Sequence, residues 1–377
     1  MRRFSTIGIG RWRRAAARFD WPLFLAIAAI CALGLVNLYS ATLFTGAYGA
    51  TDHSGKFGQQ ITWMAFGLVL YLAMTLIDYR NLTRVAWLVL GAGILTAIIV
   101  LFLARPTKGA QRWIDFGLFR VQPAEAVKLG VILCIALMVH EREHARLSVR
   151  QQLLRWGAIF LPVLLVAAQP DLGSGTLIYL IILTTGFLTL SRLGPLIGVS
   201  LTSLAALPIV WEVMHEYQQK RVLAFLDPSD NPLEDGWHTR QSIFAIGSGQ
   251  VSGKGFLEGT QSRYNWVAEQ WTDFPFAVWA EEWGFVGSLA LLALYAFLLV
   301  WIINVALTAR DRFGTVICVG VGAMVFWHVV VNICMEVGLA PVVGVTLPLV
   351  SYGGSSVLVF FIALGLVSSV SLRRHGY

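Results

Sequence analysis

Glu269-Gln270-Trp271-Thr272-Asp273-Phe274 runs directly into residues 275–304, PFAVWAEEWGFVGSLALLALYAFLLVWIIN, and the reading of that junction decides the fold. The second half suits hydrocarbon and exceeds the roughly 20 residues a transmembrane helix needs. The first half closes a polar, glycine- and tryptophan-rich segment that begins near His215. A chain built to cross a bilayer does not need such a segment for stability, so its side chains point to function.

Working outward, hydrophobic residues make up 57% of the chain and charged residues 13%, with a mean hydropathy of +0.69. Apolar blocks at roughly 21–44, 57–77, 84–104, 123–140, 156–169, 174–191, 195–214, 275–304, 314–335 and 350–371 predict an all-α polytopic membrane protein. Backbone in lipid must satisfy its own hydrogen bonds, and no ten-residue alternating strands suggest a barrel, so about ten helices are expected. The large loop, 215–274, then lies between helices 7 and 8. A basic stretch, 1–20, precedes a single membrane domain, 21–377.

Of the 28 Lys and Arg residues, seventeen fall on the amino-terminal side of the membrane in this arrangement, ten on the other, and Lys128 lies within a span. Half of those ten sit in the long loop, which counts little in the positive-inside rule. Both termini are therefore expected in the cytoplasm of a multi-pass protein of the cytoplasmic (inner) membrane, with the loop outside. The net charge of +7 reports this topology and an affinity for anionic lipid, not nucleic-acid binding. The first span is too long for a cleaved signal peptide and reads as a retained helix. Cys31, Cys134, Cys318 and Cys334 lie in apolar runs without C-x-x-C spacing and read as small hydrophobes.

Four polar constellations interrupt the apolar background. Lys108 to Lys128 carries Arg112, Trp113, Arg120, Glu125 and Lys128; Pro123 suits a first helical turn, which places Glu125 and Lys128 on one face inside the membrane. Intramembrane ionisable groups mark functional sites, with a self-neutralising structural pair as the alternative. Trp113 also suits an interfacial anchor. Gln169-Pro170-Asp171-Leu172-Gly173 is a break between spans in which Asp171 either caps the next helix or lines the path of a headgroup. Pro348 to Ser356, with Ser351, opens the last span with small residues that allow close packing or line a cavity.

The fourth constellation is the loop itself. Gly247-Ser248-Gly249 and Gly253-Lys254-Gly255 fail the phosphate-loop spacing, because Ser248 stands where the first glycine is required and Gly255 follows the lysine. Lys254 and, after Gly259-Thr260-Gln261-Ser262, Arg263 remain as groups able to hold an anion. Asp273, at the loop's membrane border, suits a base set against a hydroxyl, with an ordinary helix cap before Pro275 as the alternative. His140-Glu141-Arg142-Glu143-His144 matches H-E-x-x-H, but its place beyond a span end and beside Arg142 and Arg146 fits a solvated helix end and not a zinc protease.

Over nearly its whole length the chain resembles the SEDS family (shape, elongation, division and sporulation), and its elongation branch in particular. The resemblance is carried by KGAQRWIDFGLFRVQPAEAVK at 108–128, QPDLG at 169–173, RVLAFLDP at 221–228, QSIFAIGSGQVSGKGFLEGTQ at 241–261, DFPFAVWAEE at 273–282 and PLVSYGGS at 348–355. It implies a peptidoglycan glycosyltransferase that polymerises lipid II: a GlcNAc 4-hydroxyl attacks C1 of a MurNAc, the anomeric carbon inverts, and undecaprenyl pyrophosphate departs. It places the family's essential aspartate on Asp273, as base. Substrate-binding roles then fall to Arg112, Trp113, Arg120, Glu125, Lys128, Asp171, Lys254, Gln261, Arg263, Glu269 and Ser351. No cofactor is implied with certainty, though a divalent cation, Mg or Mn, beside Asp273 and Glu269 stays open. The implied partners are a class B penicillin-binding transpeptidase and other membrane proteins of the elongation complex. A lipid II flippase and a non-catalytic scaffold are the rival functions. The chain departs from the family at Trp271, where a histidine is usual, and at Pro275, where an aliphatic residue is usual.

Overall fold

The computed structural model describes residues 19–43, 55–103, 113–115, 120–141, 148–190, 194–226, 236–264, 266–267 and 269–374. It is almost wholly helical. Among the described residues, eight helices are long and apolar enough to cross a membrane: α1 (Trp21–Leu43), α2 (Gly55–Leu76), α4 (Pro123–Glu141), α5 (Val149–Ala168), α6 (Leu172–Thr189), α12 (Pro275–Leu307), α13 (Arg312–Glu336) and α14 (Gly354–Arg373). Two shorter apolar helices complete the expected set, α3 (Ala86–Leu103) and α7 (Gly194–Ala205). Between α7 and α12 the chain forms α8 (Leu207–Val213), within the expected seventh span, and then, in the loop, α9 (Glu216–Leu226), α10 (Trp237–Ser248) and α11 (Thr260–Arg263).

Three expected boundaries move, each for a local reason. The span expected over 195–214 is two helices that meet at Ala206, because Pro208 has no N–H to donate and its ring crowds the carbonyl four residues back. The span expected from 156 begins at Val149, where Ser148 and Gln151 form a reciprocal capping box. The last span starts at Gly354, after a turn in which Leu349 has φ +63°.

Helix α4 is the centre of the molecule, buried along nearly its full length among α3, α6 and α13. Close approach there depends on small residues: a Cβ on Gly130 would lie 2.9 Å from Leu90 Cα, in α3. Contacts sort the connections onto two faces. On one, Asp20 accepts from Trp301 Nε1 (2.8 Å) and Ser371 Oγ, while Asp311 accepts from Tyr79 Oη (2.7 Å), Arg80 Nε (3.0 Å) and Gly314 N (2.8 Å). On the other, the long loop packs against the carboxy-terminal end of α1, the start of α12 and the turn before α14. This is the loop face. A short hairpin that the sequence reading did not expect, β1 (Ile114–Asp115) and β2 (Arg120–Val121), delivers Arg120 to the same face.

Candidate active site

Asp273 is fixed through its backbone. The carbonyls of Trp271, Thr272 and Asp273 accept in turn from Tyr352 N (2.8 Å), Ser351 Oγ (2.6 Å) and Asn332 Nδ2 (3.0 Å). Upstream, the Glu269 carbonyl accepts from Thr272 N and Asp273 N (both 3.0 Å), closing a turn with Glu269 at φ +50°. Ser351 is tied in by Leu347 N, which donates to its Oγ (2.8 Å), and by Gln60 Nε2, which donates to its carbonyl (3.1 Å). The alternative reading of Asp273 as a helix cap is not what the structure builds. The N-cap of α12 is Phe274, without a side-chain cap, and the buried first-turn amides of Phe276 and Ala277 donate instead to the Glu336 carboxylate of α13 (3.2 and 2.6 Å). A buried carboxylate from another helix does the capping, so the half-buried Asp273 is not required for it.

The glycine-rich loop docks onto a break in α12. At Gly284 the helix adopts φ 61°, ψ −159°, a region open in practice only to glycine. The break lets loop backbone pair with helix backbone: Lys254 N and Gly255 N donate to the carbonyls of Glu281 and Glu282 (both 3.0 Å), while Phe285 N and Val286 N donate to Gln250 and Val251 (2.8 and 3.1 Å). Gly253, at φ +81°, lies against the Glu282 backbone with no room for a Cβ. Gly249, against the Ala280 carbonyl, and Gly253 are thus accounted for by close packing. The buried Glu281 carboxylate then accepts from Lys254 Nζ (2.6 Å), Thr260 Oγ1 (3.1 Å), Gln261 N (3.0 Å) and Ser262 N (3.3 Å). Its neighbour Glu282 accepts from Leu257 N (3.2 Å) and Ser40 Oγ, tying the loop to α1. Lys254, expected to hold an anion, is engaged with Glu281, and Gln261 braces the same carboxylate through its amide.

Beneath the loop face, Lys128 Nζ bonds Glu125 Oε1 (2.8 Å) and His328 Nε2 (2.7 Å), with Lys128 wholly buried. His328 Nδ1 lies 3.1 Å from the Thr346 carbonyl, so the bonds place the ring proton on Nδ1 and leave Nε2 to accept from the ammonium. Sequence reasoning missed His328, Asn332 and Glu336, which stand four residues apart on one face of α13. The signal was present as three polar residues at helical spacing within an apolar run. It missed Glu281 and Glu282 as well.

The remaining expected residues are distributed around this core. Asp171 caps α6 by accepting from Ser174 N (3.2 Å), and its other oxygen accepts from Gln122 Nε2 (2.9 Å). Arg120 is exposed on β2, with its carbonyl held by Ser355 Oγ (2.8 Å). Its charge acts on Tyr352, whose phenol is raised above its ordinary value by burial, against a lowering by Arg120. Trp113 is exposed at the start of the hairpin, and Arg263 is exposed at the end of α11. Arg112 lies outside the described residues, as does His144 of the H-E-x-x-H stretch, whose Glu141 pairs with Arg155. Among the described residues no three His, Cys, Asp or Glu side chains converge.

Trp271 has its own setting. It packs with Leu38, Ala41, Val278 and Tyr352, and Lys56 Nζ lies 3.6 Å from its ring centroid, well inside the range of a cation–π contact.

Residues 21–376 match the family described as cell cycle protein, FtsW/RodA/SpoVE. The peptidoglycan glycosyltransferase MrdB of Escherichia coli (strain K12) is 42% identical over 339 residues, covering 89% of this chain and 90% of that protein. The peptidoglycan glycosyltransferase RodA of Treponema pallidum (strain Nichols) is 29% identical over 435 residues, covering 96% of this chain and 99% of its own length. Among solved structures, a chain of a peptidoglycan synthase complex studied for its coordination of polymerization and crosslinking superposes with TM-score 0.77 at 34% identity, covering 95% of this chain and 99% of that one. The rod shape determining protein RodA of Thermus thermophilus gives TM-score 0.69 at 30% identity, covering 95% and 98%. With the family model matched over residues 21–376 and the fold over 95% of its length, the chain belongs to the FtsW/RodA/SpoVE family.

Proposed function

We propose that this peptidoglycan glycosyltransferase polymerises lipid II at its loop face, with Asp273 as the base of a single inverting displacement. The observation that carries the assignment is the division of labour around Asp273: three successive carbonyls fix its backbone, and Glu336 takes over the helix cap. In the reaction, Asp273 accepts the proton of the GlcNAc 4-hydroxyl as that oxygen bonds to C1 of the donor MurNAc. The C1–oxygen bond to undecaprenyl pyrophosphate breaks with its electron pair, and the pyrophosphate leaves without a proton, so no general acid is needed. Positive charge near the leaving group comes from the loop-face cations, with Arg120 described at the rim.

The lysine and arginine distribution supports a cytoplasmic position for both termini and an extracytoplasmic loop, 215–274, within one membrane domain of the inner membrane. A class B penicillin-binding transpeptidase is the proposed partner, supported by the similarity to a chain of a peptidoglycan synthase complex.

Purified protein supplied with lipid II tests the mechanism. Wild type makes glycan strands, whereas Asp273→Asn keeps the side-chain shape and loses about 10²–10⁴ in rate, the usual contribution of a positioned base. Wild-type polymerisation by Asp273→Asn would overturn the assignment.

A further inference from the structure

Tyr264 and Trp266 form a pair of stacked rings on the surface of the loop. Their centroids lie 5.4 Å apart with planes 29° from parallel, and the two residues are 44% and 48% exposed. The local backbone explains the pairing. Tyr264 is the C-cap of α11 and its N–H donates to the Thr260 carbonyl (3.1 Å), while Trp266 N donates to the Gln261 carbonyl (3.1 Å). The chain is therefore still wound as it leaves the helix, which brings the two rings together. Two large rings held in one geometry ahead of any contact reduce the ordering cost of binding.

Both ends of this segment are fastened to the turn that carries Asp273. Upstream, the Ser262 carbonyl accepts from Gln270 Nε2 (3.2 Å), which also donates to the Ala41 carbonyl of α1 (2.8 Å). Downstream, the buried Val267, adjacent to Trp266, packs with Phe274 and Ala277 at the start of α12. Gln270 and Phe274 flank Asp273 within three residues. One packed unit thus carries both the ring pair and the carboxylate.

The surroundings separate this pair from rings that suit lipid. Trp283 and Phe285, beside the break in α12, are exposed together with Val286 and Leu289, an apolar run that continues along the outward surface of the span. Tyr264 and Trp266 instead follow the exposed Arg263, with the half-buried Gln261 and Glu269 before and after them in the chain. A ring pair with polar neighbours, next to a site that joins sugars, suits a sugar. In a β-1,4-linked amino sugar the ring substituents are equatorial, so each face of the pyranose presents axial C–H groups to the negative face of an aromatic ring. Tyrosine and tryptophan supply such a face at low cost in side-chain entropy.

We propose that Trp266, backed by Tyr264, is a stacking platform for the β-1,4-linked amino-sugar strand, gripping a sugar of the strand beyond the one that reacts at Asp273. The assignment rests on the reading of this face as the glycosyltransferase site. It implies that the strand runs from the turn at 269–273 across the solvent side of α11, so that each new bond is made on a strand already held. Retention of the strand between additions then depends on the platform, and the length of the product reports it.

The test uses the full-length protein in nanodiscs, with chitotetraose, a β-1,4-linked N-acetylglucosamine oligomer, as the probe and α-1,4-linked maltotetraose as the control, read by saturation-transfer NMR titration. Trp266→Ala is expected to weaken chitotetraose binding about five- to tenfold, the loss of one aromatic stacking contact, whereas Trp266→Phe, which keeps a π-face, stays within about threefold of wild type. Supplied with lipid II, the alanine variant is expected to make shorter strands than wild type. Equal chitotetraose binding by wild type and a folded Trp266→Ala overturns the platform, as does a folded Trp266→Phe that binds as weakly as the alanine variant. Maltotetraose bound as tightly as chitotetraose overturns it as well. Brominated lipid that quenches wild-type emission more than that of Trp266→Phe would make Trp266 a membrane anchor and remove the platform. Thermal midpoints establish folding, and Trp266→Leu, which keeps apolar bulk without a π-face, replaces Trp266→Ala where the latter does not fold. Repeating the titration in the Asp273→Asn background separates the two assignments. Polymerisation by Asp273→Asn would remove the base and leave Trp266-dependent binding standing, whereas binding that ignores Trp266 would remove the platform and leave the base.

Discussion

Gly284→Ala tests how the loop is attached. The native φ of 61° with ψ −159° admits only glycine, and a Cβ there would lie 2.7 Å from the Val251 carbonyl oxygen, 2.8 Å from that of Gly249, and closer still to Gly253 N. Those neighbours are backbone, so no side chain can swing aside. The variant has two ways out. It can keep the loop docked and carry about 1–3 kcal/mol of backbone strain plus the overlap. It can instead let α12 continue as a regular helix through 284 and release the loop, which forfeits the four backbone bonds between 250–255 and 281–286. At about 0.5–1.5 kcal/mol each, those bonds represent about 2–6 kcal/mol. Because the overlap with three backbone atoms has no cheap relief, release is the expected outcome. Its cost falls inside the ~5–15 kcal/mol that holds an ordinary domain together, so the spans persist while the loop detaches. Hydrogen–deuterium exchange should show loss of protection across 249–262 with α4 and α13 unchanged, and polymerisation should fall at least tenfold. Gly247→Ala is the control: no atom lies within 4 Å of its Cβ position, and alanine within a helix gains roughly 0.5–1 kcal/mol. Wild-type protection of 249–262 in Gly284→Ala would refute the account of the break.

Two further outcomes follow from charged groups on opposite faces. Glu281→Gln removes the charge that accepts from Lys254 and three other donors; the loss is about 1–3 kcal/mol, since Lys254 is partly exposed and keeps some solvation, and proteolysis of the loop should accelerate in step. Asp311 is pushed upward by burial but brought lower overall, below its ordinary 3.8, by bonds from Gly314, Tyr79 and Arg80 and by the Arg80 charge. A depressed carboxylate stabilises the fold above its ordinary pKa and loses that contribution as pH falls through the folded value. The melting difference between wild type and Asp311→Asn should therefore be constant above pH ~5 and close progressively below pH ~4; a difference that widens on acidification would contradict the assignment.

How much of this was legible in the sequence varies residue by residue. The spans were, because roughly 20 apolar residues in a row leave few alternatives in a bilayer protein. The break at Ala206 was written there as Pro208, but hydropathy averages over a window and does not register one missing N–H. Asp273 could be singled out by position alone. That it does not cap α12 could not, because the group that does, Glu336, lies 63 residues later in the chain and only the packing of α13 against α12 brings it there. The glycines at 249 and 253 were visible, but their partners at 280–284 were not, and an anion cradle was the nearest local explanation for a pairing that is not local. Lys56 entered only as a charge in the topology. Its contacts with the Trp271 and Tyr352 rings join residues more than two hundred positions apart.

The polar face of α13 links the buried Glu125–Lys128 pair to the backbone of Asp273. His328 bonds Lys128 and the Thr346 carbonyl; one turn on, Asn332 bonds the carbonyls of Asp273 and Val345 (3.0 and 2.8 Å); one turn further, Glu336 caps α12. A single rigid helix thus ties three levels together, and each level also engages either the 345–346 strand of backbone or the start of α12. Removing one partner of the Glu125–Lys128 pair leaves an uncompensated charge in a dry interior, a perturbation of several kcal/mol. His328 and Asn332 share α13, so a movement of that helix in response would shift Asn332 and with it the Asp273 carbonyl. On the proposed mechanism Glu125 and Lys128 therefore act by position, through α13, at a site whose reacting groups lie above them on the loop face.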